Sequence, residues 1–165
     1  MKMLTPILLC TAILFCACST TKSTPEEKAA NKYEYAQKVM KAVDTHRFKI
    51  DISYMQPARG AAKQLDYGYN IRISGDTLYS NLPYYGRAFN IPYGGGKGLV
   101  FDAPIGKTAI AHGRKGASRM EIRVSNEEDN YVYTLDVYEN GKATLNVYSR
   151  ERESITFSGE MNFDY

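Results

Sequence analysis

Apolar and polar residues alternate along most of the chain after residue 47. Phe48, Ile50, Ile52 and Tyr54 face one way, and the residues between them are polar, which predicts a half-buried strand. A break at 57–60 follows, and the alternation resumes over 67–73. Gly75-Asp76 suits a type II′ hairpin turn. That turn places Ile73 opposite Leu78 and keeps the apolar residues on one face.

Five more alternating segments occupy the second half of the chain. Their centres are 108–112, 120–124, 131–137, 143–147 and 155–159. Eight strands, nearly all joined as sequence neighbours, favour a mainly β fold: an antiparallel meander forming a barrel-like or a sandwich core.

The hairpin around Asn140-Gly141 has two possible registers. A two-residue turn would pair Leu135 with Asn146 and mix the faces, whereas a three-residue loop ending in a left-handed Gly141 pairs Leu135 with Leu145. Because a one-residue slip turns every side chain to the other face, we predict the bulged register. Val124 is likewise predicted to lie opposite Tyr131.

One N-terminal helix, over about 25–44, is predicted before the strands. Thr24 is a potential N-cap, Pro25 suits the first helical position, and Glu27 can complete a capping box. Apolar residues recur at helical spacing, namely Ala29, Tyr33, Ala36, Val39, Met40 and Val43. This face either packs on the sheet or lies on a membrane surface.

The first 17 residues are typical of a signal peptide. Lys2 precedes an apolar run too short to span a bilayer, and small residues follow it. Ala17-Cys18-Ser19 is similar to a bacterial lipobox, so Cys18 is the predicted lipidation site. Residues 18–24 would form a lipidated tether and 25–165 a single globular domain.

Composition excludes several kinds of site and partner. Cys18 is the one cysteine that remains after the signal, and acylation would consume it, so we expect no disulfide, thiol nucleophile or cysteine-bound metal. His46 and His112 lack metal-ligand spacing, and no cofactor motif occurs. The formal net charge is +3 with both signs interleaved, which argues against a nucleic-acid partner.

The connection at 83–105 is the stretch that strand-and-turn patterns do not explain. Its candidate ligand- or partner-binding residues are Tyr84, Tyr85, Arg87, Phe89, Tyr93 and Lys97. The glycines at 94–98 do not fit a phosphate-binding loop. The aromatic residues, together with Phe101, either plug the end of the barrel or form the wall of a cleft, with Arg87 and Lys97 supplying charge.

The same stretch carries a resemblance to a known family. Leu82-Pro83-Tyr84-Tyr85-Gly86-Arg87 and Tyr93-Gly94-Gly95-Gly96, with the downstream hairpins, are similar to an uncharacterised lipoprotein family of Bacteroidota, domain of unknown function 4251. The resemblance implies a cell-envelope lipoprotein and transfers no catalytic residue.

Three functions follow as expectations. The first is a binding or protein-interaction lipoprotein, anchored in the outer membrane, facing the periplasm and contacting a protein or small molecule through 83–105. The second is a hydrolase of an envelope polymer, for which Asp66, Asp76 and Asp102 are the nearby acids. The third is a purely structural envelope component.

Two short acidic motifs lie beside predicted turns. Asp76-Thr77-Leu78 resembles an O-glycosylation acceptor of Bacteroidota, and Thr77 is expected to be exposed beside the turn, with or without a sugar. Glu127-Glu128-Asp129 lacks the spacing of a calcium loop. It is predicted to be a solvated hairpin tip.

Overall fold

The computed structural model describes residues 24–90, 98–113 and 116–164, which form one helix and nine strands. In chain order these are α1 (Pro25–Asp44), β1 (Arg47–Pro57), β2 (Lys63–Gln64), β3 (Asn70–Ser74), β4 (Thr77–Leu82), β5 (Leu99–His112), β6 (Ser118–Ser125), β7 (Asn130–Val137), β8 (Lys142–Ser149) and β9 (Ile155–Asn162). No helix among these residues has the length and hydropathy needed to cross a bilayer.

Eight of the strands close into an antiparallel barrel. β1 pairs with β3, each strand from β3 to β9 pairs with the next, and β9 pairs back onto β1. The short strand β2 lies outside this ring and pairs with β1 alone. The predicted mainly β fold of eight antiparallel strands with one N-terminal helix is therefore confirmed, and its architecture is a closed barrel.

The predicted strand registers are present. Ile73 lies opposite Leu78, and Val124 lies opposite Tyr131. Leu135 pairs with Leu145, and Gly141 has a φ of 78°, as the bulged loop requires. The alternation predicted these pairs because only one register keeps the apolar side chains inside the barrel. The prediction was wrong for Tyr54, which is exposed while Met55 is buried, because the pairing of β1 with β9 shifts register between Ile52 and Tyr54.

Helix α1 closes one end of the barrel, which we call the helix end. Thr24 and Glu27 form the predicted capping box, and Pro25 begins the helix. Val39, Ala42 and Val43 join the core, and Asp44 pairs with His112 at the end of β5. The prediction was wrong for Ala29 and Tyr33, which are exposed. Only the second half of the helix packs on the barrel.

The interior of the barrel is filled by side chains from all eight strands. Its principal polar contact joins β4 to β7: the Tyr133 hydroxyl lies 3.0 Å from that of Ser80, which donates to the Leu99 carbonyl at 2.7 Å. Burial raises the pKa of Tyr133 well above its usual value. Near this contact, Phe101 stacks on Tyr131 with ring centroids 4.9 Å apart.

Two predicted boundaries need correction. The connection does not extend to residue 105, because Leu99 pairs with Leu82 and the strand that begins there runs without interruption to His112. Alternating Leu99, Phe101 and Ala103 point inward, so the connection spans 83–98. The second boundary is that of β3, which begins at Asn70, not Tyr67, and Tyr67 is fully exposed.

Candidate functional site

The connection between β4 and β5 starts and finishes at the barrel end opposite α1, which we call the loop end. Its first half is fastened to the β8–β9 loop by strand-like pairing. The Phe89 amide donates to the Glu151 carbonyl at 2.7 Å, and the Glu153 amide donates to the Arg87 carbonyl at 3.0 Å. Ala88 lies opposite Arg152 in an antiparallel bridge. Residues 87–89 are thus held by strand-like hydrogen bonds around a single bridge, outside the nine strands.

Tyr84 links residues 87–89 to the β8–β9 loop through its hydroxyl group. Its hydroxyl lies 2.8 Å from the Arg87 carbonyl and 3.1 Å from the Glu153 carbonyl, so one proton serves both acceptors. Burial, and then the Glu153 carboxylate, raise the pKa of the Tyr84 hydroxyl. The side chain therefore stays a neutral hydrogen-bond donor and joins the two loops.

A buried arginine, Arg152, contacts both the Tyr84 ring and the β6–β7 turn. Arg152 is 7% exposed, and its Nη2 donates to Glu128 at 2.7 Å. The centre of its guanidinium lies 5.5 Å from the Tyr84 ring centroid. The β6–β7 turn, the β8–β9 loop and the connection consequently meet at one side chain.

Asp129 organises the β8–β9 loop, and the prediction of a solvated tip was wrong for it. Its carboxylate is buried and accepts the amides of Asn130 at 2.6 Å, Glu151 at 3.1 Å and Arg150 at 3.2 Å, together with the Ser149 hydroxyl. A carboxylate with this many donors is a structural cap for the loop.

A shallow groove of about 330 Å³ lies beside the fastened segment. Its lining includes Arg59, Lys63, Tyr85, Arg87 and Glu153. The Lys63 ammonium sits 3.7 Å above the Tyr85 ring centroid, and Tyr85 is 54% exposed. Arg59 Nε lies 3.3 Å from the Glu153 carboxylate, which also accepts the Arg87 amide at 3.3 Å.

Charge in the groove is unbalanced. Arg59, Lys63 and Arg87 supply three cations, and Glu153 is the one carboxylate among the lining residues. The groove therefore attracts anionic groups, and the tyrosine beside them offers an apolar face.

The structure places four of the six predicted binding residues at the loop end. Tyr85 and Arg87 line the groove, Phe89 is 69% exposed beside it, and Tyr84 is the half-buried brace. Tyr93 and Lys97 lie outside the described residues. Of the aromatic residues expected to form either a plug or a cleft wall, Phe101 packs inside the barrel, whereas Tyr85 faces solvent.

Sequence reasoning missed Arg59, Lys63, Arg152 and Glu153. Arg59 lies within the strand break at 57–60 and Lys63 lies just after it, and a break in the alternation predicts only a boundary between strands. Glu153 and Arg152 lie more than sixty residues from their partners in the connection, so no local pattern would have linked them to it. The closure of β9 onto β1 brings these segments together.

The acids considered for hydrolysis are not gathered in one cleft. Asp66 precedes β3, Asp76 lies in the turn after it at the helix end, and Asp102 is exposed on the outer face of β5. Within the described part of the chain, no cluster of three or more His, Cys, Asp or Glu side chains is arranged to hold a metal.

Fold and site together define a small helix-capped β-barrel with an ordered loop surface at its loop end. The model of a domain of unknown function (DUF4251) matches residues 30–161. The chain belongs to the DUF4251 family, which confirms the resemblance found in the sequence.

The crystal structure of a DUF4251 family protein from Bacteroides eggerthii DSM 20697 has a similar fold. It matches with a TM-score of 0.59 and 14% sequence identity, covering 80% of this chain and 87% of that chain. At this identity the likeness concerns the fold alone. A comparison with curated proteins gave no match.

Proposed function

We propose that this protein is a lipoprotein of the bacterial cell envelope whose loop end binds a partner. The contact surface is the first half of the 83–98 connection together with the neighbouring groove. The partner is a protein or a small molecule, and no catalytic step is required of the site.

The proposal is based on one observation: the main chain of residues 87–89 is held in place, while neighbouring side chains are exposed. Residues 87–89 are paired to the β8–β9 loop and braced by Tyr84, yet Tyr85, Arg87 and Phe89 face solvent. Aromatic and arginine side chains are the residues most enriched at binding hot spots. A surface that is already ordered also loses less conformational entropy when a partner binds.

The dense packing of the barrel interior favours a binding site on the outer surface. Its volume is occupied by the protein's own side chains, including the fully buried Phe48, Tyr133 and Phe157. A ligand inside the barrel would have to displace this packing, which is costly. The outer surface of the loop end is the place where binding needs no such rearrangement.

The anchor belongs to the same proposal. An acylated Cys18 would attach the protein to the periplasmic face of the outer membrane, and the tether to Thr24 is only a few residues long. Two or three acyl chains give durable attachment. Cys18→Ala should move the protein from the membrane fraction to the soluble fraction, and its persistence in membranes would contradict the anchor.

Chemical cross-linking followed by affinity purification from native envelopes tests the binding function. Tyr85→Ala and Arg87→Ala should each lose a partner that the wild type captures. The matched controls are Tyr148→Ala and Arg123→Ala, because both side chains are exposed on strands of the barrel wall. All four variants are first compared by thermal unfolding. Folded variants that retain every partner would contradict the proposal and favour a structural role.

A further inference from the structure

We infer that the groove at the loop end recognises a glutamate or aspartate side chain of an extended acidic polypeptide. This inference rests on the proposed binding function and assigns the chemical class of its partner. The ligand carboxylate would lie between Lys63 and Arg87, with its aliphatic portion against Tyr85.

The ion pairs of the groove leave two cations available. Glu153 is shared between Arg59 Nε and the main-chain amide of Arg87, both at 3.3 Å. Among the described residues, no carboxylate lies within ion-pair distance of the Lys63 ammonium or the Arg87 guanidinium. Both side chains are exposed, and both line the groove.

Glu153 shows how a carboxylate is bound by donors of this groove. An acidic side chain of the protein itself already enters this lining and accepts one guanidinium and one main-chain donor. A second carboxylate would meet Arg87, whose planar guanidinium can donate two parallel hydrogen bonds to it. The excess of positive charge in the groove would then fall from two to one.

The edge of β2 favours a polypeptide over an acidic sugar. β2 is the outermost strand of the described sheet and pairs on one side with β1 through Met55–Lys63 and Tyr54–Gln64. The other edge of β2 has no strand partner among the described residues. Lys63, a residue of β2, lines the groove. An extended peptide can pair with the main chain of such an edge, which a glycan cannot imitate.

Tyr85 supplies the apolar half of the contact. The residue is 54% exposed, although the Lys63 ammonium sits 3.7 Å from the centroid of its ring. The ammonium and the ring are therefore held beside each other. A glutamate side chain has methylene groups for the ring and a carboxylate for the ammonium, which fits both.

Fluorescence anisotropy with defined peptides tests the inference on the full-length protein in detergent. The probe is acetylated tetraglutamate carrying a neutral dye, and the uncharged comparison is acetylated tetraglutamine. We expect binding of tetraglutamate that weakens with added salt, and none of tetraglutamine. Arg87→Gln and Lys63→Gln should each weaken it by about tenfold, the contribution of one charge-assisted hydrogen bond. Arg123→Gln is the matched control and should bind as the wild type does.

Three results would overturn the inference. They are equal binding of the two peptides, equal binding by Arg87→Gln and the wild type, and binding of oligogalacturonate where tetraglutamate fails. The cross-linking experiment separates this failure from that of the proposed function. If Tyr85→Ala loses an envelope partner while tetraglutamate does not bind, the binding function stands and the acidic class is wrong.

Discussion

Gly141 lies where the β7–β8 loop touches helix α1, and its replacement by alanine tests the packing of the helix end. Its φ of 78° is in the left-handed region. A Cβ atom added there would overlap the Tyr35 hydroxyl oxygen and lie 3.2 Å from two ring carbons of Tyr35. Two costs, backbone strain and a displaced aromatic ring, therefore act at one position.

Gly75 provides the control, because it has only the first of these costs. Its φ is 61°, and an added Cβ would meet nothing within 4 Å. Left-handed alanine costs about 1–2 kcal/mol, offset by about 0.4–1 kcal/mol from the stiffer unfolded chain. Gly75→Ala should thus lower the free energy of unfolding by about 1 kcal/mol. Gly141→Ala adds overpacking of about 1–3 kcal/mol, for a total of about 2–4 kcal/mol.

Thermal and urea unfolding measure the difference. For a domain of this size about 3 °C in Tm corresponds to 1 kcal/mol, so Gly75→Ala should lose about 3 °C and Gly141→Ala about 6–12 °C. Adding Tyr35→Phe removes the overlapping oxygen and should restore part of the Gly141→Ala loss. Equal losses for the two glycines, or no rescue by Tyr35→Phe, would refute the proposed contact between helix and loop.

Three further predictions concern the core, the loop end and the β3–β4 hairpin. Burial raises the pKa of Tyr133 above its usual 10.0, so the unfolded chain releases a proton that the folded chain keeps. Stability should therefore fall above pH 10 by about 1.4 kcal/mol per pH unit from this group, and urea titrations in which Tyr133→Phe does not flatten this decline would contradict it. Arg152→Ala should destabilise the protein by about 3 kcal/mol, because it breaks a buried ion pair, and should expose the connection to limited proteolysis, whereas unchanged cleavage would count against its bracing role. Thr77 is half-buried at the start of β4 and not exposed as expected, because it pairs with Ser74 and Pro104. If it carries a sugar, the intact mass of the native protein should show a hexose-type increment, and a mass without one would remove the glycosylation hypothesis.

Strand order and register could be predicted from the sequence because they depend on local information. In the meander each strand pairs with a sequence neighbour, and a hairpin turn such as Asn140-Gly141 fixes the register through its own geometry. Only one alignment put Leu135 and Leu145 on the same face. The pairing of β9 with β1 joins the two ends of the barrel, and no turn between them signals it. Barrel and sandwich therefore both fitted the pattern.

The composition of the groove could not be predicted for the same reason. Tyr85 and Arg87 stood out because the connection is long and aromatic. Lys63 lies on a two-residue strand too short to show periodicity, and Glu153 reaches the groove from the far end of the chain. A partner that is distant in sequence leaves no local pattern unless a turn or spacing rule connects it.

The central claim, that the loop end is the contact surface, is tested most directly by site-specific photo-cross-linking in living cells. A benzophenone amino acid replaces Tyr85 or Phe89 at the loop end, or Tyr148 on the outer face of β8, all three of which are exposed. We predict that Tyr85 and Phe89 give the same discrete adduct and that Tyr148 gives none. An adduct at Tyr148 alone, or no adduct at either loop-end position, would contradict the account.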